Sequence, residues 1–420
     1  MNKDSLNSVF IFALPIFIGG AMVNIFNIYI ILLFLVLYLF SVSKIEVAIS
    51  FAIILPPFWG SISQILGLPL PGALLSVLVA MILSLSYFFK LAKWDFWKIQ
   101  KYIMPIVTIC IVYYFLTKQT ENSTTKIIGL LVTVSYTPFL IFLSRSTKVC
   151  MDRIAPIFLL YALLMLRVAY DFYGYESPHG LFDFTSFRLG GYANVREGLV
   201  HINYQNVGIA GVMSAAFWLS TRTKIHKLSD IVVLLSCFWI VLISGARQAI
   251  FGLILIIGIW MLFKSQKLNI KDVILFILFL LVALGFLVSL NIEFISNILA
   301  DKNEIDRDYT YPFLIIMQTP WMGIGFGNYW DPIHQLYFAH NLFLEIICEM
   351  GLLGLFLLML PVLRFIMSRD FCISQRFANG ALSWLIYMPY LIRSLISDDL
   401  SRNIVVFIAL FVFFMKRRYY

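Results

Sequence analysis

The chain repeats long apolar segments separated by short polar ones along almost its whole length. These apolar runs of roughly 16 to 24 residues have the length that a helix needs to cross a hydrocarbon core of about 30 Å. We place about fourteen of them, centred near residues 15, 32, 54, 79, 109, 135, 162, 212, 237, 256, 281, 353, 386 and 409. The pattern predicts an all-α integral membrane protein, with residues 1–420 forming a single polytopic domain.

Composition agrees with this prediction. Hydrophobic residues make up 61% of the chain and charged residues only 13%, whereas an ordinary soluble domain is about one quarter charged. The first apolar run, from about Val9, continues straight into a second run and lacks a small-residue cleavage site, so we expect the first helix to be retained. The five cysteines suggest neither a disulfide framework nor a zinc site.

The basic residues predict the orientation in the membrane. Of the 31 lysines and arginines, 21 lie in the loops and helix ends of one side and 10 on the other. Because cytoplasmic loops carry the excess of positive charge, both termini are predicted to face the cytoplasm. This orientation also accounts for the net charge of +9 without a nucleic acid as partner.

Two long loops, at about 172–204 and 291–339, are then expected on the outer side. They concentrate tyrosine, tryptophan and phenylalanine, Tyr309 among them, and four of the five histidines lie on this side. An interfacial aromatic belt explains part of this enrichment. Stacking of aromatic faces on sugar rings is the alternative interpretation.

Several arginines on the outer side also need an explanation, because positive residues are biased against outer loops. Arg188 and Arg196 lie in the first long loop, and Arg307 lies in the second. Arg247 follows the small-residue turn Ser244-Gly245-Ala246 and starts a helix. Snorkelling or a local ion pair is the structural alternative for each, but an arginine at a helix N-terminus also suits an anion such as a diphosphate.

The second long loop ends in a glycine-rich segment and a histidine. Three glycines alternate in TPWMGIGFG, which indicates a tight backbone close to something bulky. His340 precedes an apolar helix that carries Glu345 and Glu349 on one face. A histidine there suits a general base, although a structural, hydrogen-bonded histidine is the usual alternative. The two acids are expected to point into a polar cavity or to bond neighbouring arginines.

The order of Arg307, PWMGIGFGNY and HNLFLEIICEMGLLG resembles the shared signature of the O-antigen polymerase (Wzy) and O-antigen ligase superfamily. That signature is a histidine followed by Asn, Ser or Gln, nine residues, and then Gly-x-x-Gly. His340-Asn341 and Gly351-x-x-Gly354 match it without a gap. The context of Arg247 is also similar, and the specific part of the resemblance covers about residues 245–355.

The resemblance implies a GT-C-like membrane glycosyltransferase of the polymerase and ligase variety, in the bacterial inner membrane with its active site on the periplasmic face. Its substrates would be undecaprenyl-diphosphate-linked oligosaccharides within the membrane lipids, with a chain-length regulator protein as a further partner and no cofactor or metal. His340 would activate the attacking hydroxyl group. The implied contacts with diphosphate or glycan are Arg247, Arg307, Tyr309, Asn341, Glu345 and one first-loop arginine, Arg196 or, less favoured, Arg188.

A polymerase is favoured over a ligase, because Arg307 and Gly323 have the Arg-x15-Gly spacing described in the outer loops of polymerases. The first loop lacks that spacing. A polysaccharide transporter or flippase is the alternative from another class. It predicts functional charges near the midplane of several helices, whereas most charges here cluster at the outer face.

Overall fold

The computed structural model describes residues 3–22, 27–50, 93–173, 204–225, 227–244, 246–263, 310–330, 341–396 and 403–416, with the single positions 53, 274 and 339. The described residues form α-helices, and their only β pairing is one isolated bridge between Phe371 and Met415. The helices of the described residues are α1 (Lys3–Met22), α2 (Ile28–Ser41), α3 (Lys93–Leu116), α4 (Glu121–Ser135), α5 (Thr137–Arg145), α6 (Met151–Tyr173), α7 (Tyr204–Ser220), α8 (Leu228–Ser244), α9 (Arg247–Phe263), α10 (Thr310–Gln318), α11 (Leu342–Ile366), α12 (Ser383–Ile396) and α13 (Val405–Phe414).

Three stretches of helix in the described part of the chain are long and apolar enough to cross a membrane: Phe96–Leu116, Glu121–Arg145 and Leu342–Ile366. Shorter apolar helices accompany them, such as Ile28–Ser41 and Leu228–Ser244. The helical, apolar character predicted from the sequence is therefore confirmed. The predicted helix centres near residues 54, 79 and 281 lie outside the described residues, so the number of about fourteen spans stays a prediction.

The chain divides into two compact units. The first unit comprises Met1–Ala80, Thr147–Asp301 and Asn379–Pro389. Within it, α7 packs against α6, α8 and α9. Glycine permits the close approach, because a Cβ on Gly208 would lie 2.6 Å from the Ser244 Oγ and 2.7 Å from the Ala249 Cβ.

The second unit comprises Met81–Ser146, Lys302–Ala378 and Tyr390–Tyr420. Its centre is α11, which packs against α3 and α10, while α13 packs against α3, α4 and α5. Aromatic side chains fill part of this core, with Tyr102, Phe365 and Phe411 in mutual ring contact. This unit contains most of the described residues of the candidate site.

Candidate functional site

Helix α11 begins with a well-formed cap at Asn341. The Asn341 side-chain oxygen accepts hydrogen bonds from the amide nitrogens of Phe343 and Leu344, at 3.0 and 3.1 Å. These amides have no partner within the helix, which is why asparagine is favoured at this position. The Asn341 amide group also donates to the carbonyl oxygen of Leu395 at 3.0 Å. The cap thus fixes the helix start and ties it to the last turn of α12.

Helix α11 is interrupted at Gly351. Its φ of 68° and ψ of −175° are not helical and belong to a region that only glycine adopts readily. A side chain there would also collide with the carbonyl group of Trp321. The break separates a first half, residues 342–350, from the rest of the helix.

The break is filled by a segment that we call the glycine loop, residues 319–328. In a continuous helix the amides of Leu352 and Leu353 would donate to carbonyls four residues earlier. Instead they donate to Pro320 and Trp321 of the glycine loop, at 2.8 and 3.2 Å.

The glycine loop also supplies donors to the carbonyl oxygens of α11 that Leu352 and Leu353 do not use. The carbonyl oxygen of Cys348 accepts from the Ile324 amide at 3.0 Å, and that of Glu349 accepts from the Gly325 amide at 2.8 Å. Because unsatisfied backbone groups are costly at membrane depth, irregular backbone there must be paired with protein. The break and the glycine loop therefore form one hydrogen-bonded unit.

The glycines of the loop allow this close fit. Gly323, Gly325 and Gly327 all have positive φ, and a Cβ on Gly323 would collide with the backbone of Glu349 and Met350. The close-packed backbone predicted from the sequence is confirmed, and the bulky neighbour is the backbone of α11.

The start of α4 holds the other side of the glycine loop. Thr120 caps α4 in a reciprocal capping box with Ser123, and its hydroxyl group donates to the Asn328 side-chain oxygen at 2.9 Å. The Asn122 amide group donates to the carbonyl oxygen of Gly327 at 2.7 Å. The loop is thereby bound on one side to α4 and on the other to α11.

A buried charge cluster joins the same two helices. The Lys126 ammonium group of α4 lies 2.5 Å from the Glu345 Oε1 and 2.6 Å from the Glu349 Oε1. The lysine side chain is 4% exposed and both acids are fully buried. The second oxygen of Glu349 accepts a hydrogen bond from the Gly327 amide at 2.8 Å. Lysine, rather than arginine, is the partner of both acids here.

The turn before Arg247 lies in the first unit, where Ser244, Ala246 and the backbone of Arg247 are described. Helix α9 begins at Arg247, as predicted. The Ala246 carbonyl oxygen accepts from the amides of Ala249 and Ile250, at 2.9 and 3.1 Å, while the Ser244 hydroxyl accepts from the Ala246 amide at 3.3 Å. Small residues are required because Gly208 of α7 packs against this turn.

Five predicted site residues lie outside the described part of the chain: Arg188, Arg196, Arg307, Tyr309 and His340. Asn341 and Glu345 are described. Both bond to the protein itself, Asn341 as a helix cap and Glu345 within the buried charge cluster. Their predicted contacts with substrate stay predictions.

Sequence reasoning missed Lys126, which it counted only as a basic residue of the outer side. The available signal was the pair Glu345 and Glu349, since two acids in an apolar helix need a cation. Which cation approaches them depends on tertiary packing. Among the described residues, no group of three or more histidine, cysteine, aspartate and glutamate side chains is placed to hold a metal.

Comparison with known families gives a match over residues 231–359, to a family described as O-antigen ligase. A comparison with curated protein sequences gives no match. The matched range contains Arg247, the glycine loop and the first half of α11, whereas Lys126 lies outside it. The match confirms the resemblance seen in the sequence: residues 231–359 are similar to the O-antigen ligase family, and the apolar helices agree with a bacterial membrane protein.

Proposed function

We propose that the protein is a surface polysaccharide polymerase of the bacterial inner membrane. It transfers a growing glycan from undecaprenyl diphosphate to a lipid-linked repeat unit at the periplasmic face. The match of residues 231–359 to the O-antigen ligase family is the observation that carries this proposal. The Arg307-to-Gly323 spacing favours polymerase over ligase.

The reaction is one displacement at the anomeric carbon of the donor sugar. A hydroxyl oxygen of the acceptor sugar forms the new glycosidic bond while the bond from the anomeric carbon to the diphosphate oxygen breaks. The hydroxyl proton passes to His340, acting as general base. Undecaprenyl diphosphate is the leaving group, and a single displacement inverts the anomeric centre.

Arginine side chains supply the electrostatic stabilisation in this proposal. Arg247 and Arg196 bind the donor diphosphate, with Arg188 as the alternative to Arg196, and Arg307 binds beside the lipid carrier. Guanidinium groups offer paired donors to phosphate oxygens and neutralise the charge that develops on the leaving group. The proposed chemistry requires neither a metal nor a nucleotide.

Local features of the described residues support these roles. Helix α9 begins at Arg247, and the N-terminal end of a helix is the positive end of its dipole, which favours an anion. The cap at Asn341 starts α11 directly after His340. A chain-length regulator protein remains a proposed partner.

A ligase that transfers the finished glycan to lipid A-core is the second candidate. One observation favours it, since the matching family is described as O-antigen ligase. Donor and leaving group are the same in both reactions, so the residue roles above apply to both. Only the acceptor differs.

The two candidates predict different products in a strain of the source bacterium that lacks the gene. Loss of a polymerase leaves a single repeat unit attached to the lipid core. Loss of a ligase leaves no attached glycan, while polymer accumulates on undecaprenyl diphosphate. Gel separation of the surface polysaccharide, with extraction of the lipid-linked fraction, distinguishes these results, and normal polysaccharide in both fractions would contradict both candidates.

A further inference from the structure

The first half of α11 is held differently from an ordinary transmembrane helix. The break at Gly351 removes the hydrogen bonds by which the rest of α11 would fix its direction. Its orientation therefore depends on lateral anchors. Among the described residues, these anchors include the tie from Asn341 to Leu395, the glycine loop and Lys126. The Cys348 thiol also donates to the carbonyl oxygen of Pro312 in α10, at 3.5 Å.

Lys126 contacts two positions on one face of α11. Its ammonium group bonds Glu345 and Glu349 together, at 2.5 and 2.6 Å. Residues four apart lie on one face of a helix, about 6 Å apart along its axis. One cation that bonds both acids fixes the rotation of the helix about its axis as well as its distance from α4.

The same contacts reach the glycine loop. The Glu349 carboxylate accepts from Lys126 through one oxygen and from the Gly327 amide through the other. Displacing Lys126 should therefore disturb both the first half of α11 and the glycine loop.

Stability alone is a weak reason for such a cluster. Replacing a buried ion pair with well-packed apolar residues is often neutral or stabilising. Hydrogen bonds between charged groups are directional, whereas apolar packing is not. A buried ion pair can therefore fix the register of the elements that it joins. A buried lysine with two acids in an apolar helix is thus better suited to orientation than to stability.

We propose that Lys126 is a positioning residue for glycosyl transfer. By bridging Glu345 and Glu349 it fixes the first half of α11, whose cap residue Asn341 directly follows His340 in the sequence. This inference rests on the proposed function, because it assigns Lys126 to the reaction in which His340 is the base.

The test is a double-mutant cycle with purified protein in lipid nanodiscs. The variants are Lys126→Met, His340→Ala and the double variant, with Lys118→Met as the matched control. Lys118 is an exposed lysine eight positions earlier in the chain. The probe is the undecaprenyl-diphosphate-linked glycan extracted from a strain that lacks the gene, and rates are normalised to folded, monodisperse protein.

We expect Lys126→Met to lower kcat by about 10- to 100-fold with KM changed by less than about two-fold, since a displacement near 1 Å can have an effect of this size. Lys118→Met should match the wild type. In the His340→Ala background, Lys126→Met should lower the rate by no more than about two-fold, because a residue that acts through another loses its effect when that residue is absent.

The inference is overturned if Lys126→Met retains the wild-type kcat, or if its effect multiplies with that of His340→Ala. If Lys126→Met does not fold, Glu349→Gln replaces it, since glutamine keeps an acceptor for the Gly327 amide and weakens the contact with Lys126. The same outcomes apply to it. An inactive wild-type protein, or a fully active His340→Ala variant, would instead contradict the proposed function.

Discussion

The carboxylate of Glu349 accepts a hydrogen bond from the amide nitrogen of Gly327 at 2.8 Å. This bond joins a buried acid of α11 to the glycine loop. Other amides of the same loop donate to carbonyl oxygens of α11 at its break. Helix α11 and the glycine loop are therefore assembled together. Changes to either should disturb the position of the other.

The break at Gly351 should not tolerate a side chain. Gly351→Ala forces a residue with a Cβ to adopt a φ of 68° and to collide with the Trp321 carbonyl group. Gly380→Ala is the matched control, since Gly380 has a φ of 84° but nothing within 4 Å of its Cβ position. Backbone strain alone should cost the control about 1 to 2 kcal/mol.

We therefore expect Gly351→Ala to lower the free energy of unfolding well beyond the loss in Gly380→Ala. Thermal unfolding of both variants in the same detergent measures this difference. Equal midpoints for the two variants would mean that the glycine loop does not pack tightly in the break.

Both the oxygen and the nitrogen of the Asn341 side-chain amide should contribute to the stability of the folded protein. Asn341→Ala removes the acceptor for the Phe343 and Leu344 amides and the donor to Leu395, and should cost about 1 to 2 kcal/mol. Asn341→Asp keeps the acceptor and loses only the donor, so it should fall between the wild type and Asn341→Ala. Unfolding midpoints that place the aspartate variant level with alanine would show that the cap itself contributes little.

The pH dependence of stability should include a small contribution from Asp370. A hydrogen bond from Lys101, at 2.7 Å, lowers the pKa of Asp370 below its ordinary value of 3.8. A carboxylate with a lowered pKa stabilises the folded state above the unfolded pKa, and this stability is lost as the pH falls through the folded pKa.

Because Lys101 is 48% exposed and Asp370 25% exposed, solvent should limit the contribution to about 0.2 to 1 kcal/mol. The comparison is between the wild type and Asp370→Asn. Their unfolding midpoints should differ at pH 6 and converge as the pH falls through the lowered pKa of Asp370, and a difference that grows with acidity would contradict the assignment.

Arg247 should need the planar guanidinium group as well as its charge. Arg247→Lys keeps the positive charge but cannot make paired bonds to a diphosphate. We expect the KM for the lipid-linked donor to rise and the transfer rate to fall by at least about 10-fold. A loss of this size corresponds to the binding free energy of one bidentate contact. Arg364→Lys, at an exposed arginine in the last turn of α11, is the control and should leave both quantities unchanged. Unchanged donor KM and rate in Arg247→Lys would exclude it as the diphosphate ligand.

The elements that local patterns control were predictable from the sequence. Apolar length predicted the helices, and the small-residue turn predicted that a helix starts at Arg247. The alternate glycines predicted a tight backbone, because glycine is needed where φ is positive and where backbones approach closely.

The contacts between distant segments were not predictable in the same way. Lys126 and Glu349 are more than 200 positions apart, and nothing local distinguishes Lys126 from the other lysines predicted to lie on the outer side. The break at Gly351 was also missed, because residues 342–366 read as one continuous apolar run. A break of this kind becomes favourable only when the glycine loop supplies its hydrogen bonds.

His340 is proposed as the base in glycosyl transfer. This role is tested most directly by expressing His340→Ala in a strain that lacks the gene and separating the surface polysaccharide on a gel. His334→Ala, at another histidine of the second long loop, is the control. We expect the wild type and His334→Ala to restore long chains, and His340→Ala not to restore them, at equal amounts of protein in the membrane. Long chains in the His340→Ala strain would contradict this role.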